Sequence, residues 1–362
     1  MSHHMSEAMP HIGALPAGAR NSITDVPGVA VGHCTLAEGA CQTGVTVVLP
    51  HAGNLFTDKV PAAATVLNGF GKSVGLVQVE ELGVLETPIA LSNTFAVGAL
   101  AQAQIRQAIA ANPEIGRAWP TVNPLVFECN DGYLNDIQAM AVQQAHYADA
   151  CAAAGTAFAQ GAVGAGRGMS SFGLKGGIGS ASRQVGEYHV GVLVQSNFGT
   201  LPTFTAAGTR VGGLLAERLQ AHAQAPQLES GPEKGSIIMI VATDAPLDAR
   251  QLRRLSLRAG AGLARTGSVF GHGSGDIALA FSTAYTVPQL ADAPMPALAM
   301  LHETRLDALF HAAADSVEQA ILHALWQAET VQGRDGHQRV ALRELMPELP
   351  QWLARHALPQ TN

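Results

Sequence analysis

The 362-residue chain is 47% hydrophobic and 14% charged, a balance that sets aside disordered and fibrous classes. Its formal net charge of −7 leaves no surplus of Lys and Arg to neutralise a phosphate backbone, so nucleic acid is not an expected partner. No run approaches the roughly 18 uninterrupted apolar residues of a membrane span, and Met1-Ser2-His3-His4-Met5 lacks the basic-then-apolar order of a signal peptide, so a cytoplasmic protein without a membrane partner is expected.

In chain order, Asp25, Pro27 and Gly28 mark a turn before a short strand at Val29-Ala30-Val31, and Thr43 to Pro50 is a second β-branched apolar run. Ala99 to Ala111 has helical spacing and stops at Asn112-Pro113. Pro124 to Phe127 reads as a buried strand running into the polar cluster Glu128 to Tyr133, with a helix expected from about Asp136 to Ala154. Gly161 to Gly179 reads as a glycine-rich loop, Tyr188 to Gln195 as a strand ending in Ser196-Asn197, and Ala221 to Lys234 as a linker without apolar period. Gly235-Ser236 then opens the apolar run Ile237 to Ala242, followed by a helix from Asp248 to about Ala264 and a strand from Asp276 to Thr283. Leu306 to Leu325 traces the apolar face of a long amphipathic helix. Near-continuous apolar strands imply sheets covered on both faces, and hence stacked layers of helix, sheet, sheet and helix.

The chemistry is concentrated in few places. Cys34, Cys41, Cys129 and Cys151 are too few for a disulfide framework and form no C-x-x-C pair; they read as small buried hydrophobes. His33 and the pair His3-His4 lack metal-ligand spacing, so neither metal nor cofactor is expected. The glycine run Gly164 to Gly179 matches neither G-x-G-x-x-G nor G-x-x-x-x-G-K-[ST], and a tight chain excursion is favoured over a nucleotide-binding loop. By contrast, several polar side chains stand at strand ends, where they can converge. These are Glu128, Asn130 and Tyr133 after one strand, Asn197 at the end of another, Ser236 at the start of a third, and Ser274 and Asp276 in the turn Gly271-His-Gly-Ser-Gly-Asp.

Five ordered motifs carry a resemblance: Asp25-Val-Pro-Gly-Val-Ala-Val-Gly-His33, Asn130-Asp-Gly-Tyr-Leu-Asn-Asp136, Lys175-Gly-Gly-Ile-Gly-Ser-Ala-Ser-Arg183, Gln195-Ser-Asn-Phe-Gly199, and Gly235-Ser-Ile-Ile-Met-Ile-Val-Ala-Thr-Asp-Ala-Pro246. From about Asn21 to the C-terminal helix the chain resembles the self-processing aminopeptidases that include DmpA and the β-peptidyl aminopeptidases. The resemblance implies an αββα sandwich like that of N-terminal nucleophile hydrolases with different strand connectivity. It also implies a precursor cut between Gly235 and Ser236 into a large chain (1–235) and a small chain (236–362) that together make one domain.

On the same resemblance Ser236 is the nucleophile, Ser274 and Asp276 form a polar relay beside it, Asn197 donates to the oxyanion, and Tyr133 faces the reacting carbonyl or leaving group. The relatives carry Glu where this chain has the shorter Asp276. Glu128, beside Asn130, is the candidate counter-charge for a substrate ammonium. The plainer alternatives are a strand-end cap for Asn197, a self-bonded turn for Ser274 and Asp276, and a solvated carboxylate for Glu128. The expected substrate is a small peptide, amide or ester with a free N-terminus, and the expected assembly a homo-oligomer, by resemblance a tetramer. An acyltransferase resembling ornithine acetyltransferase is the rival within the fold, although that relative offers threonine where this chain has Ser236. A glycine-loop nucleotide-binding protein without hydrolase activity is the rival outside it.

Overall fold

A computed structural model describes residues 8–222 and 234–356. Two sheets stack face to face with helices outside each. The first sheet has the strand order Ala30–Glu38, Cys41–Leu49, Ile89–Asn93, Leu125–Cys129. The second runs Val287–Pro288, Asp58–Gly69, Gly273–Ser282, Lys234–Thr243, Tyr188–Asn197, Gly177–Val185, with the short Val84–Leu85 paired to Asp58–Gly69. Helices Val97–Ala111 and Gln144–Ala152 cover the first sheet, through a core that includes Val45, Val47, Leu100, Val126 and Tyr147. Helices Ala249–Arg265 and Leu306–Trp326 cover the second. The expected αββα layering is the observed one.

Strand alternation places the side chains. Ile237, Met239 and Val241 point to the outer helices, whereas Ile238, Ile240 and Ala242 enter the core between the sheets. Lys234–Thr243 and Gly273–Ser282 are the parallel pair at the centre, connected by the Ala249–Arg265 helix as a parallel crossover requires. Asp248 caps that helix by accepting from the Gln251 backbone N–H at 2.7 Å.

Several sequence expectations are corrected. The glycine stretch 161–179 is partly an excursion, but from Gly177 it becomes the edge strand Gly177–Val185. Glycines disguised that strand because they serve packing: a Cβ on Gly179 would lie 1.9 Å from the Ala320 carbonyl oxygen, so glycine lets the long helix close onto the sheet. The Asp136–Ala154 helix is a 3-10 turn at Ile137–Ala139 and a separate helix at Gln144–Ala152. Leu306–Trp326 is not amphipathic against solvent. Its polar Asp315, Ser316, Glu318 and Gln319 are buried; Asp315 accepts from Arg265 at 2.5 Å, and Gln319 accepts from the Ile12 N–H at 2.9 Å. Of the four cysteines only Cys129 is fully buried, and all four are free. Ala221 closes a helix, and 223–233 of the expected linker lies outside the described residues, as do His3 and His4.

The excursion itself is organised by a buried cation. The Lys175 ammonium donates to the carbonyls of Gly166, Met169 and Gly176 at 2.8–2.9 Å, and burial drives its pKa well below the ordinary lysine value. Three N–H donors meet three carbonyls, which leaves none for a phosphate.

Candidate active site

Ser236 is the third residue of its strand and is 6% exposed. Its place in the alternation turns the hydroxyl toward the space between the sheets, where Oγ accepts from the Gly275 backbone N–H at 3.2 Å. Gly275 is tightly packed: a Cβ there would stand 3.1 Å from Ser236 Oγ and 3.0 Å from the Phe70 carbonyl oxygen, so a larger residue would press on the nucleophile. The preceding Gly235 has φ +123°, and a Cβ on it would come within 2.1 Å of the Asn197 carbonyl oxygen. Left-handed backbone and close approach both exclude any other residue immediately before the serine.

Asn197 pairs directly with Ser236 across the antiparallel strands, which puts the two side chains on one face. The Asn197 amide is oriented at both ends: Oδ1 accepts from the Ser170 N–H at 2.8 Å, and Nδ2 donates to the Asn130 carbonyl at 3.0 Å. An amide NH2 has two N–H bonds, of which the Asn130 carbonyl takes one.

Ser274 donates to Asp276 Oδ1 at 2.5 Å, so the shorter Asp still reaches the serine. Both side chains are buried, not part of an exposed turn. In the parallel register Gly235 stands opposite Ser274 and Ser236 opposite Gly275. Alternation therefore sets the Ser274–Asp276 pair on the face away from the Ser236 hydroxyl, beside the backbone that links Gly235 to Ser236.

Glu128 is not a solvated carboxylate. It is 3% exposed, accepting from the Lys72 N–H at 2.8 Å and from the Thr94 hydroxyl. Residues 70–72 join it to the nucleophile: Phe70 packs its carbonyl at Gly275, and a Cβ built on Gly71 lies 3.6 Å from Glu128 Oε1 and 3.9 Å from Gly275 Cα. Asn130 is exposed and contributes its carbonyl, while its side chain accepts from the Gly132 N–H at 2.8 Å within its own turn.

Tyr133 enters through a chain of contacts. Its ring stacks on His337 at 4.5 Å and carries the Arg339 guanidinium at 3.5 Å from its centre; Arg339 Nε donates to Ser170 Oγ at 3.1 Å, and the Ser170 N–H holds Asn197. The hairpin carrying His337 and Arg339 also grips the 132–134 backbone, with Arg334 Nε donating to the Gly132 carbonyl at 2.7 Å and His337 Nδ1 bonded to the Tyr133 carbonyl at 2.8 Å.

Ser170, Arg339, Thr94 and Gly71 have no motif of their own, and sequence reasoning missed them. The backbone N–H of Gly275 has no side-chain signature at all. His33, singled out by its neighbour Cys34, lies apart from this constellation in the contacts it makes. Its ring nitrogens are engaged by Thr46 Oγ1 at 2.9 Å and the Ala159 carbonyl at 3.0 Å, and burial lowers its pKa to about 4, which keeps it neutral. Among the described residues no helix is long and apolar enough to cross a membrane.

Comparison with known proteins places this geometry. Residues 21–339 match Peptidase family S58. A β-peptidyl aminopeptidase, BapA, of Sphingosinicella microcystinivorans is 39% identical over 350 residues, covering 91% of this chain and 87% of that protein. The solved structure of a Burkholderia sp. β-aminopeptidase superposes with a TM-score of 0.86 at 40% identity, over 97% of this chain and 98% of that one. The L-aminopeptidase D-Ala-esterase/amidase of Ochrobactrum anthropi, described as a prototype for the serine aminopeptidases and a new variant among the Ntn hydrolase folds, gives a TM-score of 0.84 at 34% identity, over 94% of this chain and 97% of that one. With a match that runs through all five motifs and relatives of this kind along almost its whole length, the chain belongs to peptidase family S58 and is an aminopeptidase on an Ntn-type α/β fold.

Proposed function

We propose that Ser236 is the nucleophile of a self-processing serine aminopeptidase, which cuts its own chain between Gly235 and Ser236 and then removes N-terminal residues from small peptides, amides or esters. The observation that carries this reading is the pairing at the strand end. A glycine that nothing else can replace precedes a serine whose hydroxyl lies on the Asn197 face and touches a backbone N–H.

In the uncut chain the Ser236 oxygen attacks the Gly235 carbonyl carbon; the C–O bond forms, the C–N bond breaks, and the nitrogen takes up a proton to become the α-amine. Water then hydrolyses the ester, leaving a Gly235 carboxylate on a 1–235 chain and a free Ser236 on a 236–362 chain. That α-amine has an ordinary pKa of about 7.7–8.0, so near neutrality a fraction of it is unprotonated and can take the hydroxyl proton during attack on substrate. The register opposite Ser274 supports a role for Ser274 and Asp276 in orienting this new amine, through which they act on the hydroxyl. Asn197 is assigned the oxyanion, with Ser170 and Arg339 fixing its orientation. Tyr133 is assigned a role facing the reacting carbonyl or leaving group.

Glu128 is assigned the substrate ammonium, with the Asn130 turn at its flank. An ionic hydrogen bond of this kind is present in ground and transition states alike. Glu128→Gln is therefore expected to raise KM by about 10- to 100-fold with kcat little changed, and N-acetylated peptides are expected to be poor substrates of the wild type. Steady-state kinetics on free and N-acetylated versions of one peptide check this; equal turnover of the two removes Glu128 from the role. The same reading takes the active form to be a cytoplasmic homo-oligomer, a tetramer by family resemblance.

A further inference from the structure

Glycines around the nucleophile are required for different reasons, and Gly71 stands apart from the others. Gly235 is demanded by the fold, since a Cβ there would stand 2.1 Å from the Asn197 carbonyl oxygen, and Gly275 is tightly packed, with a Cβ 3.0 Å from the Phe70 carbonyl oxygen and 3.1 Å from Ser236 Oγ. Gly71 is not. It has no left-handed φ, and a Cβ built on it meets nothing nearer than 3.6 Å, an ordinary van der Waals distance. Neither strain nor crowding calls for glycine there, so the chain could carry alanine without moving.

What the added methyl would do is fill space beside the site. Its neighbours are Glu128 Oε1 at 3.6 Å, Ile277 Cδ1 at 3.6 Å and Gly275 Cα at 3.9 Å. These are the carboxylate assigned to the ammonium, an apolar wall, and the residue whose N–H holds Ser236 Oγ. A substrate whose ammonium sits at Glu128 and whose carbonyl sits at Ser236 has to thread the carbon chain between those two groups past this point.

We infer that Gly71 is a specificity-determining residue: its missing side chain makes room for the substituent on the carbon chain that joins the substrate ammonium to the scissile carbonyl. The inference rests on the assignments of Ser236 and Glu128 above. The ligand class it admits is an N-terminal residue with a substituent larger than hydrogen, and each carbon added at position 71 removes about one carbon from what the pocket accepts. Phe70 and Lys72 flank the glycine in sequence, and the Lys72 ammonium lies 4.1 Å above the Phe70 ring. Their side chains can remain unchanged while position 71 is varied.

The test uses the mature enzyme and a series of amino-acid anilides with one leaving group, in which only the N-terminal residue grows from glycine through alanine and 2-aminobutyrate to leucine. For Gly71→Ala, kcat/KM is expected to fall by about 10- to 200-fold for the largest residue that the wild type accepts, the range that one methylene commands in an apolar pocket, and to stay within about threefold for glycine. Gly71→Val is expected to move the size limit further in the same direction. For Gly71→Ala, chain cutting on a denaturing gel and the melting temperature are expected to match the wild type, since the added Cβ meets nothing nearer than 3.6 Å. Equal losses across the series, or no loss at any size, overturns the inference. If the wild type cuts its own chain yet turns over none of the anilides, the placement of such a residue between Glu128 and Ser236 fails, and the inference is overturned with it.

Discussion

Ser236→Ala is expected to give a folded, uncut chain with no measurable aminopeptidase activity, a loss on the order of 10⁶-fold for removal of a serine nucleophile. The fold survives because, among the described residues, the hydroxyl has a single hydrogen-bond partner, the Gly275 N–H, and losing one such bond costs about 1 kcal/mol in a core built from the Ile237 to Ala242 run. Self-cutting fails for the same reason as hydrolysis: no other side-chain oxygen stands one residue beyond the Gly235 carbonyl. Intact mass, circular dichroism and turnover of one dipeptide check the three parts together. A variant that is still cut, or that hydrolyses peptides at the wild-type rate, transfers the nucleophile to another residue, with Ser274 the first to examine.

Asn197→Ala is the second large effect. Here kcat is expected to fall by about 10²- to 10³-fold with KM little changed, because an oxyanion donor acts on charge that develops only in the transition state. Its structural ties make a sharper comparison possible. Asn197 Oδ1 accepts from the Ser170 N–H and Nδ2 donates to the Asn130 carbonyl, so Asn197→Asp keeps the first contact and loses the donor. If the residue is only a strand-end cap, Asp keeps the Ser170 contact that Ala removes and is the milder of the two. If it serves the oxyanion, Asp is at least as damaging as Ala, since it sets a carboxylate beside the developing negative charge. The kcat of the two variants, measured on the same peptide, separates these outcomes, and rescue by Asp contradicts the oxyanion assignment.

The large features were legible because their signals are redundant. Apolar runs such as Ile237 to Ala242 fix strand, burial and layer at once, and the Asp248 to Arg265 helix announces itself with a cap and a period. The strand Asp58–Gly69 escaped because Val60-Pro-Ala-Ala-Ala reads as neither strand nor helix. Small side chains suit a strand pressed between layers, and Pro61 is tolerated because pairing with Gly273–Ser282 has ended at Ala62. Motif residues were also legible beyond chemistry. Asp25 proves to be a structural anchor, accepting from the backbone N–H groups of Arg20 and Ser22 and from the Ser182 hydroxyl at 2.6 Å, so two distant motifs are joined by a single carboxylate.

The site was legible only in its side chains. Ser236, Asn197, Glu128, Ser274 and Asp276 are polar residues at strand ends, a pattern that sequence can show. The Gly275 N–H, the carbonyl of Asn130 and the room for a Cβ at Gly71 are properties of backbone and space, and no residue type encodes them. Tyr133 was found for its ring, but its link to Asn197 runs through Arg339 and Ser170, which lie 169 residues apart in sequence and become neighbours only on folding.

The central claim is that the Gly235–Ser236 bond is the substrate of the first reaction. Purified wild-type protein run on a denaturing gel, with intact mass and N-terminal sequencing of each band, tests it most directly. The account predicts two chains sharing the 37.5 kDa as about 24 kDa and about 13 kDa, the smaller beginning Ser-Ile-Ile-Met. A fully active enzyme that remains one unbroken chain, or one cut elsewhere, contradicts it.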